Sequence, residues 1–168
     1  LVSTFKTLFY FLPIRVWDVI TKVIFYELTK LHSNKKYALL KKNYFDLIKV
    51  ISMSGMLFIL IAIFLGKFVY NLWMNFSYNF DYSLLLLIVF DVCIYQLSHF
   101  ISIIARATNK FLDISLFTIS INLVILLVAY GLFINQQSYL LLFILNLIGS
   151  MIILIFNSLK SRKLLNNL

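Results

Sequence analysis

The sequence predicts an all-α membrane domain, a polytopic bundle of four to five transmembrane helices over residues 1–168, and three observations predict it. The first is apolar content: 62% of the 168 residues are apolar and 12% charged, with a mean hydropathy of +0.98. A water-soluble domain is nearer about 45–50% apolar, so a soluble fold of this size has too little interior for these side chains. The second is run length. The apolar residues gather in runs of about 20, the number that crosses roughly 30 Å of hydrocarbon at about 1.5 Å per residue. The third is texture: the runs do not alternate polar and apolar as barrel strands do. With Leu, Ile and Phe dominant and only four glycines and one proline, backbone polar groups in lipid must satisfy one another as helices.

Taken in order, the first stretch, residues 8–28, is interrupted by Arg15, Asp18, Lys22 and Glu27, and Pro13 should kink it or mark its first turn. It reads as an interior helix lining something wet or as an interfacial one, and the interior reading is preferred because charge at membrane depth usually faces a bundle interior or cavity. A basic linker over 29–46 follows. The second span, 47–66, has Lys49 able to snorkel from its end. Spans at 82–105, 114–134 and 139–159 are uninterrupted, and their short connections make antiparallel neighbours of a tight bundle. Cys93 falls mid-helix and has no second cysteine to pair with. The chain opens at Leu1 directly on a helix-like stretch without a cleavable signal pattern, which leads us to expect a fragment or trimmed domain.

The net charge of +9 is distributed by topology. Lys30, Lys35, Lys36, Lys41, Lys42 and Lys49 crowd the first connection, Arg106 and Lys110 the third, and Lys160, Arg162 and Lys163 follow the last span. All three regions fall on one side. The opposite connections, 67–81 and 135–138, contain a single basic residue, Lys67. This is the positive-inside pattern and puts the carboxyl terminus in the cytoplasm. Anionic membrane lipids are expected to meet these lysines. No nucleic acid partner is expected, because no recognition fold accompanies the charge. Over 67–81, Phe68, Tyr70, Trp73, Phe76, Tyr78, Phe80 and Tyr82 alternate with Asn71, Asn75, Ser77 and Asn79. That mixture belongs at the headgroup level, as an aromatic belt or as a surface that meets a lipid-linked substrate.

No nucleophile elbow, metalloprotease helix, phosphate-binding loop or zinc-spaced Cys/His set occurs, so neither an enzyme, a cofactor nor a metal site is expected. Polar residues inside the spans carry the remaining signal. On the third span Asp91, Tyr95, Ser98, His99, Ser102 and Arg106 fall within roughly one third of the circumference at about 100° per residue. Asp91 and His99 are the ion-coupling candidates, with an interhelical hydrogen-bond network as the alternative. On the first stretch Arg15, Asp18 and Lys22, three and four apart, share a face. They suit an anionic pyrophosphate or carboxylate, which Arg15 could grip by two oxygens, or else form a self-neutralised ion cluster. Fainter stripes, Ser115, Thr118 and Asn122 on the fourth span and Asn146, Gly149, Ser150 and Asn157 on the fifth, read as helix packing.

Several phrases resemble one family. Residues 16–44, VWDVITKVIFYELTKLHSNKKYALLKKNY, resemble a helix end followed by a lysine-rich linker helix; Gly66-Lys67-Phe68 with Leu72-Trp73 resembles a Gly-Lys phrase and closing tryptophan; Arg106, Ala107, Asn109 and Lys110 resemble a short cytoplasmic turn ending in Asn-Lys. Together they resemble the carboxyl-terminal part of the polysaccharide (O-antigen type) flippases of the multidrug/oligosaccharidyl-lipid/polysaccharide exporter superfamily. Tyr26 departs from the pattern, standing where proline is common. The resemblance implies the partial second lobe of a twelve-helix flippase that moves undecaprenyl-diphosphate-linked oligosaccharide across the bacterial inner membrane by alternating access. A missing amino-terminal lobe or another subunit would then be its partner. On this reading Arg15 and Lys22 would face the cavity and attract the diphosphate, with Asp18 beside them. The alternatives are a non-transporting assembly or anchoring subunit and a small transporter that dimerises.

Overall fold

The computed structural model describes residues 2–75, 79–134 and 139–168, and every element among them is helical. In chain order these are α1 (Val2–Lys6), a wide π-helical turn at Thr7–Phe11, α2 (Leu12–Ser33), α3 (Tyr37–Trp73), α4 (Tyr82–Ile101), α5 (Ile103–Ala107), α6 (Leu112–Ile134) and α7 (Tyr139–Asn166). Among the described residues, four runs are long and apolar enough to cross a membrane: Tyr37–Trp73, Tyr82–Ala107, Leu112–Leu132 and Leu140–Asn166. The chain is an all-α, multi-pass membrane bundle.

The first helix is continuous from Val2 to Ser33, and the wide turn inside it has a cause in the sequence. Pro13 has no N–H to give and its ring crowds the carbonyl four residues back, at Phe9; widening the turn ahead of it relieves that contact without ending the helix. Phe5 and Phe9 pack with Ala62, Tyr70, Leu84, Leu85 and Ile88. Trp17, Ile24 and Leu28 pack with Leu40, Tyr44, Phe100, Ile103 and Ala107. The order of those partners makes the first helix parallel to α4 and antiparallel to α3 along its whole length.

The linker anticipated over 29–46 is helical except at Asn34–Lys36, and its helix-forming run of Lys, Leu and Ala belongs to α3. The reversal is closed by backbone bonds from Lys36 N–H to Leu31 C=O (3.0 Å) and Lys35 N–H to His32 C=O (3.0 Å), with Lys35 left-handed at φ 56°. The same closure recurs after α5: Lys110 N–H reaches Ala105 C=O (2.7 Å), Asn109 N–H reaches Arg106 C=O (3.1 Å), and Asn109 is left-handed at φ 57°. At about 1.5 Å per residue α3 is roughly 55 Å long, so its lysine-bearing start extends well beyond the hydrocarbon.

Residues 67–81 are helical as far as Trp73; Phe76, Ser77 and Tyr78 lie outside the described residues, as do residues 135–138. Part of the anticipated aromatic belt is core instead. The Tyr70 ring stacks on Phe5 (4.5 Å) and meets Phe80 edge-on (5.3 Å), sealing this end of the bundle, while Phe68, Trp73 and Tyr82 are exposed. Asp81 then starts α4, its carboxylate accepting from the N–H groups of Ser83 (2.9 Å) and Leu84 (3.1 Å).

The third span breaks at Ile101–Ser102, between α4 and α5. The Ile101 carbonyl accepts the Tyr44 hydroxyl (3.0 Å) and the Ser161 hydroxyl (2.7 Å), while Ala105 N–H turns to the Ser102 carbonyl (3.1 Å). Side chains of α3 and α7 thereby satisfy the backbone group that the break leaves open, as lipid requires.

The packing of the last three spans differs from the expected series of antiparallel neighbours. α4 packs most extensively on α7, and the two are parallel: Asp91 meets Asn146 and Ser150, Ser98 meets Asn157, and Ile101 meets Ser161. α6 is antiparallel to α7, with Phe117 stacked on Phe156 (3.8 Å), Asp113 bonded to Lys160 (2.7 Å), and a Cβ on Gly149 overlapping Ile125. It stands away from α4, with little contact between the two.

Candidate functional site

The gap between α4 and α6 is a cavity of about 520 Å³. Tyr95, Ser98 and His99 of α4, Ser102 at the break and Arg106 of α5 form one wall, Ser115, Thr118 and Asn122 of α6 the opposite one, and Asn146, Ser150 and Asn157 of α7 the floor. Three stripes spaced three or four residues apart on separate spans thus face a single space. Elsewhere the outward faces are apolar, as with Leu116, Leu123, Leu126 and Leu127 on α6, and suit lipid.

The floor is structural as well as polar. Asn146 Nδ2 donates to the Asp91 carboxylate at 2.6 Å and Ser150 Oγ at 2.7 Å, and Asn157 Nδ2 donates to Ser98 Oγ at 2.9 Å. Such interhelical bonds contribute about 1 kcal/mol each. Asp91 is 2% exposed and lies behind Asn146 and Ser150, outside the cavity lining. His99 lines the cavity eight residues, or about 12 Å of helix rise, further along, so the two ion-coupling candidates are not brought together. The α7 stripe packs helices as anticipated. The α6 stripe, also read as packing, corrects that expectation: Thr118 bonds its own helix at Ile114 C=O (2.8 Å), and among the described residues neither Ser115 nor Asn122 bonds another helix.

A second cavity of about 650 Å³ adjoins the first and lies between α2 and the α4–α5 arm. Asp18, Thr21, Lys22, Phe25 and Tyr26 line its α2 side; His99, Arg106 and Phe111 line both cavities. Of the charged face anticipated on the first stretch, Asp18 and Lys22 therefore reach a cavity and Arg15 does not; it is exposed. No ion pair joins Arg15, Asp18 and Lys22 among the described residues, so the self-neutralised cluster does not form.

Arg106 is the site residue that sequence reasoning left as a topology marker. It is partly buried, its Nη2 donates to the His99 carbonyl at 3.2 Å, its Nε is buried without a partner, and no carboxylate among the described residues is within ion-pair distance. The signal was available, since Arg106 closes the polar stripe of the third span. Gln96 was missed as well: it is 1% exposed, to one side of the polar stripe of α4, with neither amide atom hydrogen-bonded among the described residues.

Among the described residues no three His, Cys, Asp or Glu side chains gather as a metal-ligand set. Compared with family models, curated proteins and solved structures, the chain matches none of them.

Proposed function

We propose that this chain forms part of a membrane transporter that flips undecaprenyl-diphosphate-linked oligosaccharide, or a similar polysaccharide precursor, across the bacterial inner membrane by alternating access, with its carboxyl terminus in the cytoplasm. The observation that carries the reading is the cavity lined by hydroxyls and amides between α4, α6 and α7 in an otherwise lipid-facing bundle. Facing an unpartnered polar group to hydrocarbon costs several kcal/mol, and among the described residues neither Ser115 nor Asn122 bonds another helix, so a polar ligand accounts for their direction. A glycan offers many hydroxyls as donors and acceptors to such a wall. The sequence resemblance to polysaccharide flippases supports the same substrate class, and the lysine-rich ends support the orientation. Lys22 and Arg106 take the role of cavity cations, Arg15 lies outside it, and His99 is the ion-coupling candidate with access to both cavities.

The test is translocation of a polyprenyl-diphosphate oligosaccharide by the intact transporter in proteoliposomes. With Thr118→Leu and Asn122→Leu together, which make the α6 wall apolar, the rate is expected to fall at least tenfold at unchanged protein level. An undiminished rate would overturn the reading.

A further inference from the structure

A recess of about 360 Å³ lies where α6 begins, apart from the two cavities described above: it shares Ile114 with the first and no lining residue with the second. It arises because the two helices end at different heights. Lys160 bonds Asp113 at 2.7 Å and so stands level with the first turn of α6, while α7 continues to Asn166, six residues or about 9 Å further out. The overhanging end of α7 and the turn that leads into α6 enclose the recess, with Lys110 on the turn and Lys163 on α7. Asp113 neutralises Lys160, whereas Lys110 and Lys163 have no acidic partner among the described residues; three lysines against one aspartate leave a net charge of +2. The inner part of the recess is apolar, lined by Leu112, Ile114 and Leu164. One turn further toward the hydrocarbon, Leu116 follows Leu112 by four residues and Leu159 precedes Lys163 by four; both are exposed, and the exposed Val124 and Ile152 continue these strips.

We infer that this recess is a headgroup site for a resident anionic glycerophospholipid of the bilayer: Lys110 and Lys163 hold its phosphodiester at the membrane surface, and its acyl chains lie along the exposed strips of α6 and α7. A basic pocket between helix ends on the lysine-rich side matches such a headgroup in both charge and depth. Lysine suits the place, since an exposed ammonium on a flexible stem keeps its water and follows a headgroup that moves. Asp113 does not cancel the site, because its charge is matched by Lys160. A zwitterionic lipid would bring a cation of its own into a recess that already carries +2, so the charge selects against phosphatidylcholine. A free phosphate would meet the lysines but gain nothing from Leu116 and Leu159, which makes the lipid the occupant. Seated across the two helix ends, the lipid ties α6 to α7 beside the bond between Asp113 and Lys160. The site lies outside the cavity on which the transport reading rests, and its occupant is a component of the bilayer, not cargo.

The experiment uses the chain with Cys93→Ala and a fluorophore on Leu116→Cys, in nanodiscs of phosphatidylcholine that contain a small fraction of lipid with a nitroxide on its acyl chain. The nitroxide quenches the fluorophore when its lipid sits beside it, and the labelled lipid is either phosphatidylglycerol or phosphatidylcholine. Phosphatidylglycerol is expected to quench severalfold more strongly at equal mole fraction, and the two lipids to quench equally when the fluorophore is on Phe64→Cys, on the exposed apolar face of α3. Lys110→Gln with Lys163→Gln is expected to abolish the preference at Leu116→Cys; both side chains are exposed, so the fold is retained. Lys41→Gln with Lys42→Gln removes the same charge from the start of α3 and is expected to leave the preference in place, which separates this recess from the general attraction of a basic surface. Inorganic phosphate in the buffer, at constant ionic strength, is expected to change nothing. Equal quenching by the two lipids at Leu116→Cys, a preference that survives Lys110→Gln with Lys163→Gln, or one lost equally with the α3 lysines overturns the site. Loss of the preference in inorganic phosphate overturns the lipid as its occupant. The transport reading is untouched by any of these results, since the α6 wall is tested by translocation alone.

Discussion

Asp91 shows at the residue scale how a side chain's type is legible in the sequence while the partners that surround it are not. A carboxylate at the centre of a membrane helix costs about 2.5–3.5 kcal/mol on insertion scales, which makes it a reasonable functional candidate. Its donors, Asn146 and Ser150, lie on a helix more than fifty residues away in the chain, and no spacing rule links the two stripes. A double-mutant cycle of Asp91→Ala and Ser150→Ala, measured by unfolding in mixed micelles, is expected to give a coupling of about 1 kcal/mol. Additive losses would show that the bond contributes nothing. Gln96 makes the opposite case, because nothing among the described residues satisfies its amide. Gln96→Met, close in volume and without the polar atoms, is expected to stabilise the bundle by about 1 kcal/mol or more in the same assay. A loss of stability would mean that the amide has a partner in the membrane. The polar stripe of the third span was legible in the sequence because helical periodicity fixes which residues share a face; which of them reach the cavity depends on the neighbouring helix and was not.

Helix ends and helix neighbours were unequally legible at the element scale. Apolar run length located the four membrane-crossing helices, yet it set the second at 47–66, whereas α3 runs from Tyr37 to Trp73, because a lysine-bearing helix leaving the membrane keeps its hydrogen bonds while losing its hydropathy. The reversal at Lys35 uses a left-handed residue that is not glycine, at a cost of about 1–2 kcal/mol for an L-residue. Lys35→Gly is accordingly expected to raise stability by about 0.5–1 kcal/mol after the added freedom of the unfolded chain is counted, read as a higher unfolding midpoint. A lower midpoint would contradict this geometry. Short connections suggested that α6 lies against the α4–α5 arm; it packs on α7, where Gly149 admits Ile125. Gly149→Leu is expected to separate α6 from α7 at a cost of about 1–3 kcal/mol, and an unchanged midpoint would place the contact elsewhere.

At the scale of the whole molecule the account depends on two different surroundings for one set of helices. The exposed apolar faces of α3, α6 and α7 suit lipid, and polar side chains line the space between α4 and α6, which suits water. The basic ends of α2, α3, α5 and α7 lie together on one side, because α4 and α7 run parallel to the first helix and antiparallel to α3 and α6. Thiols ionise and react where water reaches them and stay inert in hydrocarbon, so their reactivity maps this division directly. The decisive measurement is therefore cysteine accessibility along α6 in sealed vesicles, in a Cys93→Ala background, with a membrane-impermeant thiol reagent. Cysteines at Ser115, Thr118 and Asn122 are expected to react, and those at Leu116, Leu123 and Leu127 to remain unlabelled. Equal labelling of both faces, or labelling of the leucine face alone, would contradict a water-filled cavity within a lipid-embedded bundle.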